Sequence, residues 1–364
     1  MKWSPQQDQA LKAVADWSKT PRGKPFFYLG GFAGTGKTTL AQHFAQNIGA
    51  VSYAAFTGKA SLVLRSKGCR GAQTIHSLIY KTNDEDQSGE PKFALNRDSE
   101  ILRSKLVIID EVSMVNEDLG KDLLSFGVPV LVLGDPAQLP PVKGEGYFTA
   151  GEPDFMLTEV HRQAGDNPII AMSMQIREGK KLQIGTYGES EVVRRSDIDA
   201  GRVLNADQVL VGLNKTRRVY NERIRELKGF NGDFQLQDRV VCLKNVKEKG
   251  LLNGGIFEVS KILNQTMDET AMHVTSQDEG MKKIPIKVTT HHAWTRGTER
   301  ELPWTEQRNY EPFDYAYALT CHKSQGSQWD KVMVFDESPC FRDDAARWLY
   351  TAVTRAAQRV EIVL

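Results

Sequence analysis

Nothing in this chain pairs its cysteines. The four, Cys69, Cys242, Cys321 and Cys340, form no C-x-x-C unit, and the seven histidines complete no zinc spacing. A disulfide scaffold is not expected, and cysteines so used suit a reducing cytoplasm. His291 and His292 are adjacent, but no carboxylate or Cys cluster accompanies them, so they read as a surface or interdomain pair. An excess of one charge is also missing: Lys+Arg 47 stands against Asp+Glu 46, a net +1. This is no bulk polycation, and any nucleic acid must be met by positive charge arranged locally along a path. The opening "MKWSPQQDQA" has no charged-then-apolar signal pattern, and no apolar run approaches a membrane span. No internal repeat and no low-complexity tail is visible. A cytoplasmic protein without a membrane partner is expected.

What is present is an ordinary globular composition, 40% hydrophobic and 26% charged over 364 residues, enough for two domains with insertions. Up to about residue 158 the chain alternates strand and helix. "PFFYLGG" reads as a strand, and "KTTLAQHFAQNIG" as a helix stopped by Gly49. "AVSYAAFT" is a strand before the helix "GKASLVLRSKG", and "LVIIDEV" and "VPVLVLGD" are runs of the kind buried in a parallel sheet. A doubly wound α/β domain follows. "ADQVLVGLNKTRRVYNERIRELKG" is strand, turn and basic helix. Then "DRVVCLKN", "IFEVSKIL", "AMHVTSQ" and "KIPIKVTT" are short β runs with no helix between them, a small β barrel at roughly 233–312. The α/β pattern resumes with "YAYALT", "KVMVFDE" and the helix "DDAARWLYTAVTRAA". "RVEIVL" is the last strand, and no appended nuclease or tail is expected. The polar "YKTNDEDQSGEPKFALNRDSE" interrupts the first α/β region and could be a β-hairpin.

"GGFAGTGKTT" lies between a strand and a helix and carries Gly31-x4-Gly36-Lys37-Thr38. Glycines at Gly31, Gly34 and Gly36 let backbone N–H groups wrap phosphates at a helix N-terminus, with Thr39 beside them. Lys37 would reach the β- and γ-phosphates, and the Thr38 hydroxyl would bind Mg²⁺. "LVIIDEVSM" ends a strand on Asp110, placed to hold Mg²⁺, and on Glu111, placed to act as general base on the attacking water. In "VLGDPAQLPPV", Gln138 has the chemistry to contact the γ-phosphate or its water. "YALTCHKSQGSQWDKV" is a second polar, glycine-bearing knot without phosphate-loop spacing.

In this order, over nearly the whole chain, these segments resemble the superfamily 1 helicases, specifically the RecD-like and phage Dda-like branch, superfamily 1B. "WSPQQDQAL" looks like its Q-motif, with Gln7 as adenine reader. "AAFTGKAS" looks like motif Ia, and "AQTIHSLI" like the DNA-contact motif after it. "LTEVHRQ" looks like the motif whose arginine, here Arg162, reaches the γ-phosphate. "YALTCHKSQGSQ" resembles motif V and "LYTAVTRA" motif VI, whose Arg355 would be the second arginine finger. The resemblance implies two RecA-like domains, 1–79 with 101–158 and 159–232 with 313–364, carrying a pin-like insertion at 80–100 and an SH3-like β insertion at 233–312. It implies ATP and Mg²⁺ as cofactors, bound in the cleft between the two domains, and a motor moving 5′-to-3′ on single-stranded DNA and unwinding duplex.

Thr57, Lys59, His76, Thr320 and His322 are then candidates for DNA contacts, and Phe93 for stacking on the terminal base pair. The "DEDQSGE" of the pin segment is acidic and should repel phosphates. Arg217 and Arg218 could equally be solvated helix charges. Within the knot, Lys323, Gln325 and Gly326 would face the cleft and the γ-phosphate. Expected partners are single-stranded DNA and duplex junctions, with a single-stranded-DNA-binding protein or replication or recombination proteins beside them, and the chain is expected to be a monomer in a bacterial or phage-infected cell. The alternatives are a DNA-stimulated ATPase that displaces bound proteins with little unwinding, a P-loop phosphotransferase, and a binding protein with a degenerate motor. The last two are disfavoured by the Arg162 and Arg355 motifs and by the intact catalytic positions.

Overall fold

The computed structural model of the chain describes residues 3–20, 23–85, 91–141, 146–159, 167–279 and 281–364. They form two compact units: Met1–Lys81, Phe93–Leu182 and Asp343–Thr354 in the first, and Thr82–Lys92, Gln183–Arg342 and Arg355–Leu364 in the second.

The first unit is built on a six-stranded sheet in the order Gln73–Thr74, Val51–Ala55, Leu106–Asp110, Val130–Gly134, Phe26–Gly31, Phe155–Leu157. Every recorded pairing in it is parallel. Alternate residues of a strand face opposite sides, so a strand covered on both faces must be apolar throughout. Leu106, Ile108, Leu131 and Leu133 pack with Leu40 and Ala41 of the helix Lys37–Ala45. Val107, Ile109, Val130 and Val132 pack on the other side with Leu119 and Leu123 of the helix Glu117–Leu124. The helix after the phosphate loop ends at Ala45, short of Gly49, whose φ of 93° serves the turn into the next strand. The interrupting polar segment contributes two strands, Tyr80–Glu85 and Pro91–Leu95, which form a two-stranded sheet.

The second unit has a six-stranded sheet in the order Ala318–Thr320, Gln208–Val211, Trp329–Phe335, Ala356–Val363, Ser190–Val193, Gly185–Tyr187. It is parallel except for its last pair. The hairpin 185–193 was not foreseen, because its strands are three and four residues long and half polar. The short β runs form a five-stranded antiparallel sheet ordered Ile286–His291, Glu269–Ser276, Ile256–Gln265, Arg239–Cys242, Phe313–Tyr315. Glu311 N–H donates to the Thr289 carbonyl at 2.9 Å, tying the approach to the last strand onto the first.

The basic helix Asn214–Leu227 is clamped to this second sheet. Arg225 and Asp238, 4% and 0% exposed, share a two-point ion pair, with Arg225 Nη2 2.8 Å and Nε 3.0 Å from the carboxylate. Tyr317 donates its hydroxyl proton to the same carboxylate at 3.0 Å, and Arg225 also donates to the carbonyls of Gly232 and Asp233. Breaking a buried pair strands a charge in low dielectric, which costs about 3–5 kcal/mol. Asp238→Ala is therefore expected to lower the unfolding free energy by roughly that amount. Chemical denaturation monitored by circular dichroism checks it.

Candidate functional site

The phosphate loop follows directly from strand Phe26–Gly31. Gly34 and Gly36 hold φ of 79° and 81°, left-handed values that disfavour side chains. At Gly31 a Cβ would stand 2.7 Å from Thr35 Oγ1 and 3.1 Å from Lys37 Cγ, so only glycine fits. The Lys37 ammonium donates to the carbonyls of Gly31 and Phe32, which keeps it over the loop. Thr39, next along the helix, is exposed. Gln7 is buried below the loop. Its backbone N–H and side-chain Oε1 complete a capping box with Ser4, and its side-chain Nε2 donates to the Thr35 carbonyl at 3.1 Å. The Arg177 guanidinium carbon stands over Phe32, 3.3 Å from the ring centroid.

Thr38 and Asp110 come together as expected: Thr38 donates its hydroxyl proton to Asp110 Oδ2 at 2.8 Å. A hydroxyl and a carboxylate converging beside a phosphate loop are hard oxygen donors, the set Mg²⁺ takes with phosphates and waters. These residues fit that ion. Among the described residues no group of three or more His, Cys, Asp or Glu side chains could hold a metal by itself. Glu111 adopts a left-handed backbone, φ 55° and ψ 50°, uncommon for a non-glycine residue, and its N–H donates to Asp110 Oδ1 at 2.9 Å. This turn re-aims the Glu111 side chain relative to the strand that ends at Asp110. Gln138 is 8% exposed, and its Oε1 is buried without a hydrogen-bond partner among the described residues. It lines a cavity of about 350 Å³ with Ser113, Asp135 and Arg347.

Sequence reasoning missed Tyr350. The helix Ala345–Val353 groups with the first unit and packs on the helix Pro168–Arg177. Tyr350 donates its hydroxyl proton to Asp135 Oδ2 at 2.6 Å and accepts from the Ala33 N–H of the phosphate loop at 3.1 Å. Burial, with the Asp135 charge beside it, pushes this phenol well above its ordinary value, so it stays a donor. Thr351 accepts from Leu139 N–H at 2.9 Å. "LYTAVTRA" was read for its arginine, although a buried Tyr needs a partner for its hydroxyl.

In the second unit, the knot is a short turn, Cys321–Ser324, capped by Thr320, whose hydroxyl accepts from Lys323 N–H at 3.3 Å. Gln325 is 2% exposed, and Gly326 turns the chain at φ 77°. Arg355, 6% exposed, donates to the Ser327 carbonyl at 3.3 Å, so it is held by the end of the knot. His322 lies with its ring 5.8 Å from Phe341. Lys323 turns toward the inserted sheet, donating to Asn253 Oδ1 at 3.0 Å. Arg217 is not a solvated helix charge: it pairs with Asp314, the two side chains being 12% and 3% exposed. Arg162 lies outside the described residues.

The DNA candidates of the first unit fall on one stretch. Thr57 caps the helix Gly58–Ser66, accepting from Ala60 N–H at 3.1 Å, and Lys59 follows in the first turn. Phe56, His76, Tyr80 and Phe93 form a row of rings with centroid spacings of 6.2, 5.6 and 6.4 Å. Phe93, 63% exposed, is its open end.

Residues 2–197 match the family model described as an AAA domain, and residues 315–363 that of a UvrD-like helicase C-terminal domain. The chain is 30% identical over 350 residues to the ATP-dependent RecD2 DNA helicase of Deinococcus radiodurans, covering 93% of this chain and 46% of that protein. It is 23% identical to the ATP-dependent DNA helicase dda of Enterobacteria phage T4, covering 90% of this chain and 92% of that one. It thus spans about half of the first relative and nearly all of the second. Among solved structures, two coordinating Pif1 helicases at forked dsDNA align with a TM-score of 0.63 at 19% identity, over 99% of this chain and 92% of that one. Bacteroides Pif1 bound to ssDNA aligns at 0.60 and 18%, with the same coverage. At such identity these likenesses establish the fold.

Burial pushes the Lys323 ammonium down to about 8, helped by the like charge of Arg217 and opposed by Cys242 and Asp314. Lys323 should titrate near there, well below the ordinary lysine range, in NMR of its side-chain ¹³Cε. Arg217→Gln is expected to raise the value, since it removes the like charge and leaves Asp314 unpaired.

Proposed function

The chain belongs to the superfamily 1B helicase family, and from that premise we propose that it is an ATP-driven motor that moves 5′-to-3′ along single-stranded DNA and unwinds duplex. The observation that carries the reading is the convergence of Thr38 on Asp110 beside Lys37, with Glu111 turned out of the strand end. ATP would lie with its phosphates on the loop N–H groups and the Lys37 ammonium. Mg²⁺, held by Thr38 and Asp110, would draw charge from the phosphate oxygens. Glu111 takes the proton of the attacking water as it adds to the γ-phosphorus, and ADP leaves with the β–γ bridging oxygen. Arg162 and Arg355 are the cations that the family resemblance assigns to the γ-phosphate. Loss of Glu111 as base is expected to lower turnover by about 10²–10⁴-fold in Glu111→Gln. ATP and DNA binding should survive, which filter binding checks.

Grip on the strand would come from Thr57 with Lys59 and from Thr320 with His322. Each threonine caps a turn that follows a parallel strand. A capping hydroxyl accepts from the backbone and keeps its own proton to donate to a phosphate oxygen. Such contacts carry no sequence information, as a motor on arbitrary sequence requires. The ring row ending at exposed Phe93 offers the junction a stacking face. The acidic "DEDQSGE" that precedes Phe93 in the sequence favours a second reading, a DNA-stimulated ATPase that displaces bound proteins with little unwinding.

Two measurements decide between these. ATP hydrolysis should be low alone and rise sharply with single-stranded DNA, and a duplex with a 5′ tail should be opened while one with only a 3′ tail is not. Equal hydrolysis with and without DNA would overturn the motor, and stimulation without strand separation would favour displacement. Phe93→Ala should slow strand separation more than it slows DNA-stimulated hydrolysis; equal losses would remove Phe93 from the junction.

A further inference from the structure

Four hydrogen bonds fix the loop that leaves the strand Val130–Gly134. Two are its own: Ala137 N–H donates to Asp135 Oδ1 at 3.0 Å, and Gln138 N–H to the Asp135 carbonyl at 3.1 Å. The other two come from adjacent residues of the helix Ala345–Val353. Tyr350 donates to Asp135 Oδ2 at 2.6 Å, and Thr351 accepts from Leu139 N–H at 2.9 Å. Asp135, Leu139, Tyr350 and Thr351 are all buried, so water does not compete for these bonds. Pro136 and Pro140 stiffen the same stretch by fixing φ.

Gln138 lies between the two points held from the helix, three residues after Asp135 and one before Leu139. Its backbone therefore cannot swing without breaking a buried bond at one side or the other. The Tyr350 oxygen also accepts from Ala33 N–H at 3.1 Å, so one phenol sets the spacing between this loop and the phosphate loop. The two hydroxyls have no proton left for a phosphate. Tyr350 gives its proton to Asp135, and Thr351 gives its own to the Arg347 carbonyl at 2.7 Å. Neither side chain carries a charge, so what they supply is geometry.

We propose that Tyr350 and Thr351 are positioning residues for ATP hydrolysis, which act through Gln138 by holding its loop at a set distance from the phosphate loop. The assignment rests on the motor reading above, in which Gln138 meets the γ-phosphate or the attacking water. A group that acts on a reacting atom must be held to a fraction of an ångström, and its own rotamer cannot do this if its backbone drifts. The helix Ala345–Val353 thus has a part in the reaction that does not depend on Arg355. Because Gln138 bears on the γ-phosphate, binding of ADP should be indifferent to both residues.

The test measures ATP hydrolysis with single-stranded DNA, and binding of a fluorescent ADP, in Tyr350→Phe, Thr351→Val, Gln138→Ala and each of the first two combined with the third. Tyr350→Phe and Thr351→Val should each lower kcat by roughly tenfold or more, while ADP affinity stays at the wild-type value. In the Gln138→Ala background the same substitutions should lower kcat no further, since residues that act as a unit are not additive. Additive losses overturn the proposal, as does a wild-type kcat in both single variants or in Gln138→Ala. An ADP affinity that falls in step with kcat also overturns it, because the two residues would then shape the phosphate loop itself. Each of these results leaves the motor reading standing. No hydrolysis by the unaltered chain, with or without DNA, overturns both. Thermal melts coincident with wild type show that the variants fold. Thr351→Val keeps the side chain's shape and the Asp135 bond, so it carries the comparison alone if Tyr350→Phe does not fold.

Discussion

The hydrogen bond from Thr38 to Asp110 sets the terms for the first unit. The two residues leave strands that are not neighbours, because Val130–Gly134 runs between Phe26–Gly31 and Leu106–Asp110. Thr38 must therefore reach across the end of that middle strand. That middle strand ends in glycine, where a Cβ would stand 2.8 Å from Val112 Cγ2 and 3.1 Å from the Tyr28 ring, so no side chain fits there. The register Leu29↔Leu133 and Ile109↔Val132 brings all three strands to their carboxyl ends together. Ligands of open parallel sheets bind at that edge, where loop backbone and helix N-termini converge. Lys37, Glu111 and Gln138 all depend on this shared finish, since each follows one of the three strands.

A second constraint ties the loops to one another. Asp135, two positions past the end of the Leu133 register pair, would be a buried carboxylate with an open lone pair, but the Tyr350 hydroxyl completes it. The same oxygen accepts from Ala33, so a single phenol holds the phosphate loop and the third loop. Five residues later Arg355 is fixed by the Ser327 carbonyl at the end of the knot. The stretch 350–355 thus carries, in one short length of chain, bonds to the phosphate loop and to the segment that follows Thr320 and Gln325. Within the knot "YALTCHKSQGSQWDKV", Gly326 takes a left-handed φ of 77° that its turn requires.

Most of the sheet strands were legible because buried parallel strands are apolar on both faces and cannot be mistaken for surface. The phosphate loop and the Asp110–Glu111 strand end were legible for the same reason, each being a polar motif at the end of such a run. The elements missed were short or doubly used. The hairpin 185–193 has too few apolar residues to show a period. The helix Pro5–Lys19 announces itself by Ser4, Pro5 and Gln7, a capping box with proline at the first position, but the same Gln7 had a functional reading that hid its structural one. Arg217, Arg218 and Arg225 look alike in sequence, spaced along one basic helix. Only their partners distinguish them, and those partners, Asp314, Gly297 and Asp238, lie 13 to 97 residues away.

That helix shows what charge is for in the second unit. Arg225 with Asp238 and Arg217 with Asp314 are both pairs withdrawn from water. Burial pushes Asp314 up and Arg217 pulls it back, so the pair stands as a balance of desolvation against attraction. Apolar residues of equal volume often replace such pairs at no loss of stability, so stability alone gives no account of either. Direction does. Two ion pairs on one face, two helical turns apart, admit a single rotation of the helix about its axis and a single height along it. With that setting fixed, Arg218 has to lie over Gly297, and its Nε has to stay buried. The charges buried at Arg217 and Arg225 thus fix where Arg218, between them in the sequence, is held.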